Sequence, residues 1–261
     1  MPEGPELPRP ASREGHRMKG VILAGGTGSR LHPLTKVTNK HLLPVYDRPM
    51  IYYPIQALVN AEVRDIMIVT GGESAGEFLR LLGNGSEFGL KHLNYTYQEK
   101  PGGIAQALGL TEEFVGGDKF VVILGDNIIE RNIRRAVRAF ETQRDGARVI
   151  LAQVENPRSY GVARLAGEAV VEIVEKPETP PSSWAVIGIY FYSPDVFGII
   201  RTLKPSGRGE LEITDVNNEY IRRGTMTYEK LDGWWADCGE SIAWLLRANS
   251  LVARDGANHI D

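Results

Sequence analysis

Three glycines within four residues, at positions 25, 26 and 28, follow an apolar run and come shortly before Arg30. Because glycine has no Cβ, a backbone rich in it turns sharply and brings its N–H groups against anionic oxygens. Arg30 carries a guanidinium fork that suits phosphate, and Lys40 adds a second positive charge further along the chain. This spacing predicts a nucleoside triphosphate site.

Two commoner phosphate-binding loops do not fit the spacing. A dinucleotide fingerprint requires a third glycine where this chain has Leu31, and a Walker A loop requires Lys followed by Ser or Thr where the chain has Arg30 and Leu31. A turn that merely reverses the chain is the remaining alternative. The arginine and the spaced lysine favour the phosphate site.

Asp126 is the first candidate for a metal ligand. It follows the apolar run from Val121 to Leu124, where an ionised carboxylate is costly unless a cation meets it. Mg²⁺ held by one or two carboxylates and by phosphate oxygens is a suitable cation. The alternative is an aspartate that only caps a turn.

Composition limits the classes of protein to which the chain can belong. Its 261 residues are 42% hydrophobic, and the net charge of −3 gives no basic excess for nucleic acid. No apolar run is long enough for a membrane helix, and residues 1–17 lack the apolar centre of a signal peptide. We therefore expect a cytoplasmic protein without a nucleic-acid or membrane partner. The single cysteine, Cys238, excludes an internal disulfide and is interpreted as a packed apolar side chain.

Apolar strand patterns alternate with helical patterns along the first half of the chain. This alternation predicts an α/β fold, a doubly wound, mostly parallel mixed sheet with helices on both faces. Ligands of such sheets bind beyond the carboxyl ends of strands, where the glycine-rich loop and Asp126 lie. The predicted strands of this half are Gly20–Ala24, Asp65–Thr70, Leu93–Gln98, Phe120–Leu124 and Arg148–Val154. The predicted helices are Ile51–Asn60, Ala75–Leu82, Ile104–Glu113 and Asn132–Arg144.

The second half changes to short alternating strands, which predict a smaller lobe joined to the main sheet. Its predicted strands are Val162–Leu165, Val170–Glu175, Ala185–Tyr192 and Thr227–Leu231. Its predicted helices are Pro194–Leu203, Glu212–Arg223 and Ser241–Arg254. We divide the chain into an extension at 1–17, expected to be disordered, and one domain at 18–261. This domain consists of a first part, about 18–155, and a second part, about 156–240.

Six motifs in order resemble the sugar-1-phosphate nucleotidylyltransferases, and among them the short bacterial glucose-1-phosphate thymidylyltransferases. The resemblance runs from about Met18 to about Asn249. Its motifs are the glycine-rich loop with Lys40-His41-Leu42-Leu43-Pro44, then Leu124-Gly125-Asp126-Asn127, Tyr160-Gly161-Val162, Glu175-Lys176-Pro177, the stretch from Gly207 to Asp215, and Trp235-Ala236-Asp237-Cys238-Gly239. The resemblance implies a Rossmann-like nucleotidyltransferase fold with a small sugar-binding lobe. It also implies that the part at about 18–155 binds the nucleotide and that the part at about 156–240 binds the sugar phosphate.

The resemblance also implies roles for individual residues. The catalytic residues would be Arg30, Lys40, Asp126 and Lys176. The nucleotide would be bound by Leu23, Gly25, Gly26, Thr27, Gly28, Ser29, Arg30, Gln98, Gly103 and Asp126. The sugar phosphate would be bound by Gly161, Glu175, Lys176, Val186, Tyr190 and Arg208. Asp126 and Asp237 would hold Mg²⁺. Ile187 stands where the family often has threonine, so a side-chain hydroxyl contact there is not expected.

The activity that the resemblance implies is thymidylyl transfer from dTTP to glucose 1-phosphate, giving dTDP-glucose and pyrophosphate. One alternative is the same chemistry with UTP or another sugar phosphate. The alternative from another class is a catalytically silent regulatory subunit, which would be expected to lose charged site residues that this chain keeps. We expect a homo-oligomer. Longer members of the family build a second nucleotide site from a C-terminal extension, so we expect downstream dTDP-sugars to compete with dTTP at the active site only.

Overall fold

The computed structural model describes residues 18–71 and 74–260; the extension expected at 1–17 lies outside them. The strands are β1 (Lys19–Ala24), β2 (Pro44–Val45), β3 (Arg48–Pro49), β4 (Asp65–Gly71), β5 (His92–Gln98), β6 (Phe120–Leu124), β7 (Asn127–Ile129), β8 (Ala147–Gln153), β9 (Gly161–Ala166), β10 (Ala169–Glu175), β11 (Trp184–Tyr192), β12 (Met226–Lys230) and β13 (Trp235–Asp237). The α-helices are α1 (Tyr52–Asn60), α2 (Ala75–Leu82), α3 (Ile104–Gly109), α4 (Glu112–Val115), α5 (Arg134–Thr142), α6 (Val196–Ile200), α7 (Ile213–Arg222) and α8 (Ile242–Asp255).

One nine-stranded mixed sheet organises the chain, as the sequence predicts. The strands β5, β4, β1 and β6 lie side by side and parallel. β11 then runs antiparallel to β6 and carries β8 on its other edge, and β12 runs parallel to β8. The first half of β11 also pairs with β9, which continues to β10, so the second-half strands extend the main sheet without a break.

Helices cover both faces of this sheet. Along β1, Ile22 and Ala24 face a core that includes side chains of α1, α2 and α5, whereas Val21 and Leu23 face a core that includes side chains of α3, α6 and α7. Because successive strand side chains point to opposite faces, a strand that is apolar throughout must be covered on both sides. This confirms the doubly wound α/β prediction.

The helix predicted at Ile104–Glu113 is wrong in one respect, because the structure divides it into α3 and α4. The hydroxyl of Thr111 donates to the carbonyl of Leu108 at 2.8 Å, and the Thr111 amide donates to the same carbonyl at 3.0 Å. That carbonyl would accept from residue 112 in a continuous helix. Gly109, a poor helix former, lies beside the break.

A third apolar cluster lies under α8 and contains the two short strands that the sequence analysis missed. β7 and β13 pair antiparallel, and their side chains Ile128 and Ala236 are fully buried in this cluster. Cys238 is fully buried in the same cluster, which confirms its interpretation as an apolar side chain. In the described residues, none of the helices is both long and apolar enough to cross a membrane.

Candidate active site

The glycine-rich loop leaves β1 at the carboxyl end of the central parallel strands. Gly26 and Gly28 have φ values of +93° and +64°, which side chains with a Cβ rarely adopt. The hydroxyl of Thr35 donates to the carbonyl of Gly28 at 2.7 Å and fastens the loop to the segment that follows it. Of the other predicted loop residues, Leu23 is buried, Gly25 is half-buried, and Thr27 and Ser29 are exposed.

Lys40 and Asp126 form a buried ion pair, with only 13% and 9% of their side chains exposed. The Lys40 ammonium donates to Asp126 Oδ2, and the Asn127 amide donates to Oδ1 at 3.0 Å. Burial opposes ionisation of Asp126, but Lys40 and these hydrogen bonds outweigh it and hold the pKa of the carboxyl well below its usual range. The structure therefore brings together two residues that are far apart in the sequence.

Asp237 reaches the same place through the pairing of β13 with β7, in which it lies opposite Asn127. Its Oδ1 accepts a hydrogen bond of 3.0 Å from the Gly239 amide. Burial, and after it the repulsion from Asp126, raises the pKa of Asp237 above its usual range, although Lys40 and Arg30 oppose the rise. The two aspartates named as metal ligands are thus neighbours inside the protein.

This carboxylate pair suits Mg²⁺ as part of a ligand set. The repulsion between Asp126 and Asp237 favours a cation, and Lys40 is the positive charge that neutralises Asp126 here. Within residues 18–71 and 74–260, no cluster of three or more His, Cys, Asp or Glu side chains could hold a metal ion. Because Mg²⁺ usually takes one or two protein carboxylates and completes its shell with phosphate and water oxygens, two aspartates are sufficient.

His41 is a residue of this site that the sequence analysis missed. The residue is 1% exposed, and its Nδ1 lies 2.7 Å from Asn39 Oδ1, which also accepts a hydrogen bond from the His41 amide. Burial, followed by the charge of Lys40, lowers the pKa of His41 to about 3. A Cβ on Gly125 would come within 2.7 Å of the ring, so the neutral imidazole packs against the residue before Asp126. No spacing in the sequence signals this role.

Gln98, one of the predicted nucleotide-binding residues, lines a cleft of about 500 Å³ together with Gly26 and Thr27. Gln98 is buried, and its Nε2 donates to Gln106 Oε1 at 2.5 Å and to the Gly103 carbonyl at 3.3 Å. Two hydrogen bonds occupy the two amide hydrogens, so Oε1 is the atom that remains to accept from a ligand. Gln106, which orients the Gln98 amide, is a further residue that the sequence did not single out.

The predicted sugar-phosphate residues all line one cleft of about 170 Å³. They are Gly161, Glu175, Lys176, Val186, Tyr190 and Arg208. Arg30 and Asp237 line the same cleft, which therefore connects the triphosphate residues with the sugar residues. Asn127, Tyr160 and Trp235 also line it and were not predicted as site residues.

Hydrogen bonds hold the carboxylate of Glu175 in place in this cleft. The hydroxyl of Thr214 donates to its Oε2 at 2.6 Å, and the guanidinium of Arg208 donates to its Oε1 at 3.3 Å. Arg208 also donates to Glu212 at 2.8 Å, so its charge is shared between carboxylates. Lys176 has a φ of +43°, a strained value for a residue with a Cβ, and its amide donates to the Tyr160 carbonyl at 3.0 Å. Such strain often marks functional positions.

β11 contributes Val186, Gly188 and Tyr190 to the lining of the cleft. Val186 and Tyr190 are almost fully buried there, whereas the fully buried Ile187 packs into the core on the opposite face of the sheet. Ile187 does not line the cleft, in agreement with the expectation that no side-chain hydroxyl contact is made at this position.

A family model described as nucleotidyl transferase matches residues 19–254. The chain belongs to this nucleotidyl transferase family. The match includes the glycine-rich loop, the Lys40–Asp126 pair and the sugar-phosphate cleft, so the family covers the whole candidate site.

Named members of the nucleotidyl transferase family resemble the chain over most of its length. It is 46% identical over 240 residues to a glucose-1-phosphate thymidylyltransferase of Actinoplanes sp., covering 90% of this chain and 78% of the relative. It is 45% identical over 239 residues to the enzyme of the same name from Mycolicibacterium smegmatis, covering 90% and 82%.

Solved structures show the same fold. A candidate glucose-1-phosphate thymidylyltransferase from Bacillus anthracis, solved in complex with a sucrose, has a TM-score of 0.87 and 54% identity over 91% of this chain and 96% of its own. A UDP-glucose pyrophosphorylase complexed with UDP-glucose has a TM-score of 0.79 and 27% identity, covering 91% and 98%. The predicted Rossmann-like nucleotidyltransferase fold is confirmed.

Proposed function

We propose that the protein is a glucose-1-phosphate thymidylyltransferase, which transfers a thymidylyl group from dTTP to α-D-glucose 1-phosphate and releases pyrophosphate. The observation that carries the proposal is the buried Lys40–Asp126 pair beside a cleft that contains Arg30, Glu175 and Lys176. Relatives of this name at 45 and 46% identity support the choice of substrates. The same charged residues argue against a silent regulatory subunit.

The reaction forms one P–O bond and breaks another. A phosphate oxygen of glucose 1-phosphate attacks the α-phosphorus of dTTP, and the bond from the α-phosphorus to the bridging oxygen breaks as pyrophosphate leaves. The attacking oxygen is already anionic, so no general base is required. The residues must align two polyanions and neutralise the charge that accumulates. Arg30 holds the leaving phosphates, and Lys40 orients them against the sugar phosphate.

In the sugar subsite, Lys176 holds the phosphate of glucose 1-phosphate, and Arg208 assists it. Glu175, fixed by Thr214, accepts hydrogen bonds from sugar hydroxyls. Gly161 and Val186 offer backbone groups, and Tyr190 forms the wall. The Lys176 amide donates to the Tyr160 carbonyl, and this hydrogen bond holds the backbone of Lys176 at its positive φ. The direction in which the Lys176 side chain leaves the backbone is fixed in this way.

Asp126 and Asp237 would hold a divalent cation, which we propose is Mg²⁺. Such an ion supplies electrostatic stabilisation of phosphate charge. The contribution of the chain is two neighbouring carboxylates, one of which is paired with the Lys40 ammonium.

The decisive experiment measures pyrophosphate release over a matrix of triphosphates and sugar-1-phosphates. We expect dTTP with glucose 1-phosphate to give the highest kcat/KM. UTP is the second triphosphate to compare, because thymine and uracil present the same N3–H and O4 edge to Gln98. If no combination releases pyrophosphate, the enzyme proposal is wrong; if UTP exceeds dTTP, the protein is a uridylyltransferase. Analytical ultracentrifugation of the same sample tests the predicted homo-oligomer.

Lys176→Ala should weaken the binding of glucose 1-phosphate by about 2–3 kcal/mol, the scale of a lost charge-assisted hydrogen bond. The affinity for dTTP should stay nearly unchanged, because Lys176 is assigned to the sugar phosphate. Isothermal titration calorimetry with each ligand separately checks both statements. Lys91→Ala, at an exposed lysine before β5, is the matched control. A larger loss for dTTP than for glucose 1-phosphate would mean that the two subsites are exchanged.

Gln106→Leu should lower kcat/KM for dTTP by about tenfold, near the upper end of what one net hydrogen bond contributes. Without Gln106 Oε1 as its acceptor, the Gln98 amide is free to turn, and its Oε1 no longer selects the N3–H of thymine against the N3 acceptor of cytosine. The preference for dTTP over CTP should therefore fall as well. The control is Gln56→Leu, because the Gln56 amide donates to Asn60 on α1. An unchanged dTTP to CTP ratio would contradict the orienting role.

A further inference from the structure

All four tryptophans of the chain line a second cleft, next to α8, which shares only Tyr160 and Trp235 with the sugar-phosphate cleft. Its volume is about 610 Å³, within the range of roughly 300–1,000 Å³ that small-molecule sites occupy. Trp184, Trp234 and Trp244 are only partly buried. Large aromatic side chains are normally buried in a core, so three of them around one open cleft indicate a surface built for contact with a ligand.

The polar groups of this cleft lie among the aromatic ones. Gln153, Glu155 and Asn156 follow one another on its rim and are exposed. Glu240 contributes a second carboxylate. The Nε1–H of Trp234 is buried and has no hydrogen-bond acceptor among the described residues. The donors that a ligand in the cleft can reach are the exposed amides of Gln153 and Asn156, which also offer acceptor oxygens.

The charges of the lining disfavour a phosphorylated ligand. Glu155 and Glu240 outnumber the one cationic side chain of the lining, Arg247. The Arg247 guanidinium already stacks on Trp244, with 4.6 Å between its carbon and the ring centroid. A nucleotide or a sugar phosphate would therefore meet more negative than positive charge here. An uncharged ligand avoids this repulsion.

We propose that this tryptophan cleft, defined by Trp184, Trp234 and Trp244, binds a neutral saccharide. A pyranose ring presents an apolar C–H face that stacks on an indole, and its hydroxyls donate to carboxylate and amide oxygens and accept from N–H groups. The cleft has these three kinds of group together. It is separate from the sugar-phosphate cleft but shares a wall with it, formed by the edge-to-face pair Tyr160 and Trp235 at 5.2 Å.

The shared wall determines which residues are suitable for a test. The indole of Trp235 donates to Asn127 Oδ1 at 2.7 Å, and the Asn127 amide donates to Asp126. A change at Trp235 would therefore disturb the reaction cleft as well. Trp184 and Trp244 line the tryptophan cleft but not the sugar-phosphate cleft, so they are the residues to substitute.

The test is calorimetric titration of the full chain with maltose and with cellobiose, together with ligand-observed NMR. We expect saturable binding of at least one of the two, weakened at least tenfold by Trp244→Ala and by Trp184→Ala. In both variants kcat/KM for dTTP and glucose 1-phosphate should stay within twofold of the parent. Lys176→Ala, in the other cleft, should retain the disaccharide affinity.

Several results would overturn the proposal. One is the absence of saturable binding of either disaccharide up to their solubility limits. Another is binding that Lys176→Ala abolishes and Trp244→Ala does not, which would place the sugar in the reaction cleft. A third is a change of oligomeric state in Trp244→Ala by analytical ultracentrifugation without any effect on disaccharide binding, which would make the cleft a contact between subunits.

Discussion

Asp126→Asn is expected to stay folded and to lose about three orders of magnitude in kcat, the upper scale of removing one preorganised charge-stabilising group. The carboxamide keeps the shape of the side chain but cannot carry the negative charge that Lys40 and a divalent cation require. Steady-state pyrophosphate release gives kcat, and circular dichroism verifies the fold. Asp145→Asn, at an exposed carboxylate, is the matched control and should retain full activity.

The Asp126→Asn variant also separates the contribution of Asp126 to catalysis from its contribution to the stability of the fold. Removing one partner of a buried ion pair leaves the other charge uncompensated, so the melting temperature of Asp126→Asn should fall. The Lys40 side chain retains some exposure, which lets water reach the ammonium and limits that fall. A kcat close to that of the parent chain, measured on folded protein, would remove Asp126 from the metal-binding and catalytic residues.

The apolar strands could be predicted from the sequence because burial on both faces leaves a direct signal. The run Phe120–Leu124 was predicted with the bounds that the structure has, and β1 differs from its prediction only by Lys19. These strands lie in the middle of the sheet, where both neighbours and both covering layers require apolar side chains. The glycine-rich loop and Asp126 follow the carboxyl ends of such strands, and this position indicated that they are site residues.

The short strands β7 and β13 could not be predicted in this way. Each has three residues, fewer than a periodic pattern needs, and they form only by pairing with each other across more than a hundred residues of sequence. Yet this pairing places Asp237 beside Asp126. The resemblance to a family, and no property of the local sequence, suggested that the two aspartates meet.

The residues that orient the site side chains through hydrogen bonds could not be predicted from the sequence either. Asn39 and His41 flank Lys40 and are joined by a hydrogen bond through the Asn39 carboxamide oxygen, and Gln106 is the third residue of α3. Each acts through a hydrogen bond that depends on the tertiary structure. A histidine beside a lysine has no distinctive spacing, so nothing in the order of residues separates His41 from an ordinary surface histidine.

Gly239→Ala is the second substitution for which we expect a large effect, although it adds only a methyl group. A Cβ at this position would lie 2.3 Å from Asp126 Oδ2 and 2.9 Å from Lys40 Nζ, closer than real Cβ contacts come. Asp126 cannot simply turn away, because the Asn127 amide holds its other oxygen, and the Gly239 amide itself donates to Asp237. Relief of the clash must therefore shift one or both carboxylates.

We expect this shift to lower kcat by about 100-fold, since a displacement of about 1 Å at a reacting centre can have that effect. The KM for glucose 1-phosphate should change little, because Lys176 and Glu175 lie on other segments. Steady-state kinetics and thermal melting on the same preparation provide the measurement. Gly117→Ala, where an added Cβ has no heavy atom within 4 Å, is the control and should behave like the parent chain. Parental kcat in Gly239→Ala would mean that the site tolerates displacement of its carboxylates, and the argument for a tightly positioned Lys40, Asp126 and Asp237 would then be wrong.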